Sequence, residues 1–110
     1  HRDQIAYFWL KKKDYTRTGA EPNDSEGLID HIRAIAPVVV AILFEEIEPD
    51  LTRISLRSKS DHINVNEIAG FFGGGGHKAA AGARISGSPL AIQRRVVNAA
   101  KKALDAAPSL

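Results

Sequence analysis

Two neighbouring stretches, VVVAILFEEI at 38–47 and LTRISLRSK at 51–59, constrain most strongly what this chain can fold into. The first is β-branched and apolar without alternation, the pattern of an interior strand covered on both faces. The second alternates, so that Ile54 and Leu56 share one face while Arg53, Ser55 and Arg57 share the other. Glu48, Pro49 and Asp50 between them form a turn sequence, which predicts a hairpin. A polar strand face carrying two arginines is unusual, because such a face is more often filled with neutral or mixed-charge residues.

The remaining segments supply partners for that hairpin. Ile5–Leu10 (IAYFWL) reads as a strand, and the polar stretch up to Pro22 as a short helix or loop. Asn23 caps a helix with Glu26 three residues on, Leu28, Ile32, Ile35 and Ala36 form its apolar stripe, and Pro37 ends it. Val65, Ile68, Ala69 and Phe72 recur at helical spacing, giving a short helix that Gly70 weakens. AAAGARIS at 79–86 begins with a helical turn and ends as a strand from about Gly82 to Ser86. Ser88 and Pro89 start a final helix with Ile92, Val96, Ala99 or Ala100, and Ala103 inward. Arg94, Arg95, Lys101 and Lys102 read as its solvated side. The order predicts an α/β fold, with α+β left open: a mixed sheet of about four to five strands with helices packed on it.

With 110 residues the chain has the size of one domain and enough apolar content to bury one core. It has no cysteine, so disulfides, thiolate metal sites and thiol nucleophiles are excluded, a composition that fits the cytoplasm. The longest apolar run, Val38–Phe44, is far too short to cross a bilayer, so no membrane partner is expected. The absence of methionine and the start at His1 give the expectation of a piece excised from a longer polypeptide. A formal charge of +2 is too small to diagnose nucleic-acid binding, so any anion site must be local.

The candidate for such a site is GFFGGGGHKAAAG at 70–82. Four consecutive glycines cost backbone entropy that something must offset. If the alanines that follow are helical, Gly73, Gly74, Gly75 and Gly76 present free N–H groups and a helix N-terminus to one anion, with His77 and Lys78 at the rim. Arg57 is aimed by its strand parity toward the same concave surface. The run is neither a Walker loop nor a dinucleotide fingerprint. His31 and His62 stand in DHI triplets without metal-ligand spacing, and no catalytic residue or metal ligand set is assigned to this chain.

FFGGGGHKAAAG, with SLRSK some twenty residues earlier and NDSEGLIDHIRAI before that, resembles the C-terminal DHH-associated domain of the DHH phosphoesterase superfamily over nearly the whole chain. Within it the sequence is most similar to the oligoribonuclease and phosphoadenosine-phosphate phosphatase branch, exopolyphosphatase-related, more than to RecJ-type exonucleases. The resemblance implies a substrate-binding half, 1–110, whose partner is an N-terminal DHH domain of the same polypeptide holding two manganese ions. It implies a short nucleic acid or nucleotide as substrate, contacted by the glycine run, His77, Lys78, Arg57 and Ser58, and leaves a homodimeric parent open. A RecJ-like single-strand exonuclease part and a non-catalytic RNA-binding module are the alternatives. The fragment alone is expected to bind no manganese and hydrolyse no phosphoester.

Overall fold

The computed structural model describes residues 4–10, 27, 29, 34 and 38–106. The elements are β1 (Ile5–Leu10), β2 (Val40–Glu48), β3 (Leu51–Ser58), α1 (Val65–Gly70), β4 (Gly75–Gly76), β5 (Ala80–Ser86) and α2 (Pro89–Ala106). They build one five-stranded sheet in the order β1-β2-β3-β5-β4. β1 runs parallel to β2 and every other pair is antiparallel, so the sheet is mixed, as the sequence predicts.

The hairpin between β2 and β3 forms as expected. Pro49 and Asp50 make its turn, with Asp50 in the left-handed region at φ 62° and its carbonyl accepting from Gly87 N–H at 2.9 Å. β2 is an interior strand with Val40 through Glu45 buried, matching its unbroken apolar run. On one face Val40, Ile42, Phe44, Ile54, Leu56, Ala81, Ala83 and Ile85 pack under α1 and α2, whose inward residues are Val65, Ile68, Ala69, Ile92, Val96, Ala100 and Leu104. On the other face Ile29, Val38, Ala41 and Leu43 form a second cluster with Ala6, Phe8 and Leu10 from β1. Gly27, Ile29 and Ala34 are helical, which agrees with the helix expected there; the cap expected at Asn23 and the stop expected at Pro37 lie outside the described residues.

Both described helices start on side-chain caps. The Asn64 Oδ1 accepts from Asn66 N–H at 3.0 Å and from Glu67 N–H at 3.4 Å. Ser88 caps α2 through Oγ, 3.3 Å from Ala91 N, and Pro89 occupies the first helical position, as expected. The buried stripe of α2 closes on Leu104, whereas Ala99 and Ala103 are only half-buried.

The largest departure from the sequence reading lies after the glycines. No helical turn follows: Ala80 and Ala81 already belong to β5, and Lys78 with Ala79 forms a two-residue turn closed by His77 N–H to Ala80 O at 2.7 Å and Ala80 N–H to His77 O at 3.2 Å. Alanine favours helix by a few tenths of a kcal/mol per residue, but a strand slot between β3 and β4 offers a full ladder of hydrogen bonds and burial for Ala81 and Ala83.

Candidate functional site

Three of the four glycines serve the fold itself. Gly73 has φ +81°, a conformation that turns the chain out of α1. A Cβ on Gly74 would overlap the Gly82 carbonyl oxygen and the Ala83 side chain. One on Gly76 would lie 2.7 Å from Ala80 O, and its φ of +154° is also rare for side-chain-bearing residues. Gly75 differs: its backbone is unexceptional, and a Cβ would meet only a side-chain atom, the Asn66 Oδ1 at 3.2 Å. Three of the four are therefore required by close backbone approach or by a left-handed turn, and this internal packing offsets their entropy.

The donors expected to be free are also engaged. Gly73 N–H donates to Gly70 O at 3.2 Å, Gly74 N–H to Ala69 O at 2.9 Å, Gly76 N–H to Asn66 Oδ1 at 2.9 Å and His77 N–H to Ala80 O. With no helix after them, Gly73–Gly76 form no helix-terminal cradle, and the anion-cradle argument falls. The segment is nevertheless exposed, and its tip is anchored by Ser58 N–H to Ala79 O and Val65 N–H to Lys78 O, both 2.9 Å.

What survives is the open face of β3, β5 and β4. Strand register sets Arg57 opposite Ala80, Ser55 opposite Gly82 and Arg53 opposite Arg84, while Gly75 lies opposite Gly82 on the far side. These residues line a shallow trough of about 410 Å³ bordered by Arg53, Ser55, Arg57, Gly75, Gly76, Ala80, Gly82 and Arg84. Its floor is nearly free of side chains, so a ligand can lie close to the sheet. Two strand spacings, about 9.6 Å, separate Arg57 from the His77 position across Ala80, and Arg57 lies four residues, roughly 13 Å, from the Arg53–Arg84 end.

The arginines are not equivalent. Arg53 is paired bidentately with the buried Glu45, Nη2 lying 3.0 Å from Oε1 and 2.9 Å from Oε2, so its charge is largely matched. Arg57 donates from Nη1 to the Leu56 carbonyl at 3.1 Å, which steadies the guanidinium against its own strand. Arg84 is exposed. Arg57 and Arg84 place two further guanidinium groups on the border of the trough.

The residues singled out in the sequence divide accordingly. Arg57, Gly75 and Gly76 border the trough, and His77 pairs in register beside it. Ser58 does not reach it: one step out of phase on β3, it is buried at 4% exposure, and its Oγ donates to Ser60 O at 2.9 Å and accepts from Ser60 N–H at 3.2 Å. Lys78 lines a different concavity, between α1 and α2. Arg84, Ala80 and Gly82 are not singled out in the sequence: Ala80 falls in the expected helical turn, and the strand expected from about Gly82 carries no sign that it pairs with β3, whereas Ser55 and Arg53 are visible in the alternation of β3. Among the described residues no group of three His, Cys, Asp or Glu converges in a way that could hold a metal ion.

The chain belongs to the DHHA1 domain family, which it matches over residues 3–108. Its fold is similar to that of an exopolyphosphatase-related protein from Bacteroides fragilis, at 27% identity and a TM-score of 0.79 over 93% of this chain and 30% of that one. It is similar also to the C-Ala domain of Aquifex aeolicus alanyl-tRNA synthetase, at 20% identity and a TM-score of 0.66 over 91% of this chain and 89% of that one. A pGpG-specific phosphodiesterase from Vibrio cholerae shares the fold at 18% identity, with a TM-score of 0.51 over 62% of this chain and 24% of that one. The chain thus spans about a third or less of the exopolyphosphatase-related protein and of the phosphodiesterase.

Proposed function

We propose that this chain is the substrate-holding domain of a DHH-family phosphoesterase acting on short oligonucleotides, dinucleotides or nucleoside bisphosphates, in the exopolyphosphatase-related and oligoribonuclease branch. The observation that carries the reading is the trough on the open face, where Arg57 and Arg84 flank a floor of Ala80, Gly82, Gly75 and Gly76. A guanidinium fork matches phosphate oxygens in pairs, and a floor without side chains admits the phosphate to the main chain. Roughly 13 Å of floor suits one or two nucleotides better than a long strand. Similarity to the exopolyphosphatase-related protein supports the same class.

In this reading Arg57 binds the phosphate, Arg84 neutralises the far end, and His77 closes the third side. Arg53 is held by Glu45 and shapes the trough more than it charges it. The hydrolytic chemistry belongs to a second, DHH domain carrying manganese; the described residues of this chain hold no ligand set that fits the metal, so no hydrolytic step is assigned to them. Cleft closure between the two domains would orient the scissile phosphate and expel water.

The test is binding of adenosine 3′,5′-bisphosphate and of a 5′-phosphorylated dinucleotide to the chain by calorimetry, beside manganese-dependent hydrolysis by the longer polypeptide. Arg57→Ala should lower affinity and hydrolysis together. Unchanged affinity in Arg57→Ala, with the fold intact by circular dichroism, would contradict the assignment.

A further inference from the structure

A second concavity lies on the opposite, helix-covered side of the molecule, and the trough does not account for it. It is a cleft of about 890 Å³ between α1 and α2, within the size range of small-ligand sites. Phe71 stands on its wall 78% exposed, a large apolar side chain that folding leaves in water. Phe72 beside it is half-buried, and the Arg95 guanidinium carbon stacks 5.3 Å from its ring centroid. Lys78 reaches the cleft from the β4–β5 turn, Lys102 and Asn98 from α2, and Asn64 from the cap of α1.

We infer that this cleft binds a nucleotide unit, with the base stacked on Phe71 and the phosphate held by Lys78 and Lys102. Exposed aromatic faces flanked by Arg and Lys are what a base with an attached phosphate requires, since the ring supplies stacking and the cations supply charge. Asn64 and Asn98 offer amide groups to the edge of a base. The Asn64 Oδ1 is occupied by its capping bonds, which leaves the Nδ2 amide as the donor. An amphipathic helix as occupant fits less well, because a docking helix needs a continuous apolar seam. Here Asn64, Glu67, Asn98 and Lys102 interrupt the apolar floor on both walls. The cations of α2 are thus divided: Arg95 and Lys102 line the cleft, whereas Arg94 and Lys101 do not.

The hairpin tip separates the two sites, so the cleft can be tested independently of the trough. Amide chemical shifts of the 15N-labelled chain are followed during titration with adenosine 5′-monophosphate, adenosine, inorganic phosphate and an oligoadenylate trimer. The expected result is saturable movement of Phe71, Phe72, Asn98 and Lys102 with the monophosphate, weaker with adenosine alone. Phe71→Ala should weaken this about tenfold while leaving the Arg57 region and the thermal midpoint unchanged, because Phe71 is exposed. Lys102→Gln should weaken the monophosphate and not adenosine. A trimer that binds more tightly than the monophosphate identifies a strand as the source of the nucleotide, and equal affinity identifies a free nucleotide; both support the site. Cleft amides that stay still at millimolar ligand, or affinity unaltered by Phe71→Ala, would overturn it.

Discussion

The two faces of the β3–β5 half of the sheet make opposite use of neighbouring residues. Toward the helices these strands place Ile54, Leu56, Ala81, Ala83 and Ile85, all buried. Toward the other side, in alternate positions, they place Arg57, Ala80, Gly82 and Arg84 around the trough. The covered face derives its energy from apolar burial, while the open face combines cations with an almost bare floor. Glycine serves both: Gly74, Gly76 and Gly82 let backbones meet and Gly73 makes a left-handed turn, whereas Gly75 in the same run carries neither demand. A conspicuous motif thus divides into glycines that the fold requires and one, Gly75, that pairs in β4 without needing to be glycine.

The sharpest separation comes from paired substitutions on β3. Leu56→Ala should lower stability by about 2–5 kcal/mol in chemical denaturation, since Leu56 is fully buried under the helices. Gly74→Ala comes next, at roughly 2–3 kcal/mol, because the new methyl group overlaps the Gly82 carbonyl and Ala83, and backbone cannot yield as a side chain does. Arg57→Ala should leave stability within about 0.5 kcal/mol yet cost roughly 1.5–3 kcal/mol of affinity for adenosine 3′,5′-bisphosphate. The smallest effect belongs to Gly75→Ala, under about 1 kcal/mol in stability, as only the Asn66 amide must shift. If Gly75→Ala destabilised as much as Gly74→Ala, the division of the glycine run drawn above would be wrong.

Much of this was legible in the residues. The unbroken run at Val38–Ile47 and the alternation at Leu51–Lys59 define a doubly covered strand beside a two-faced one, and Ser88-Pro89 marks the start of α2. Arg57 was legible for the same reason, since strand parity alone puts it opposite Ile54 and Leu56. The role of the glycines was not. The group that forbids a side chain on Gly74 is the carbonyl of Gly82, eight residues away and across a strand pair that local pattern does not reveal. Ala79–Ala81 read as helical because propensity is a local quantity, while the ladder to β3 that overrides it is tertiary. Ser58, which the family resemblance names with Arg57, sits next to it in sequence but on the opposite side of the sheet in space, as strand parity requires.

The central claim is that the ligand meets the open face at Arg57 and not a cradle of glycine amides. Its most direct measurement is a 15N chemical-shift titration of the chain and of Arg57→Ala with adenosine 3′,5′-bisphosphate. The account predicts saturable shifts at Ser55, Arg57, Gly75, Gly82 and Arg84 in the unaltered chain, all lost in Arg57→Ala while the remaining spectrum is preserved. Shifts concentrated at Gly73 and Gly74 and persisting without Arg57 would contradict it.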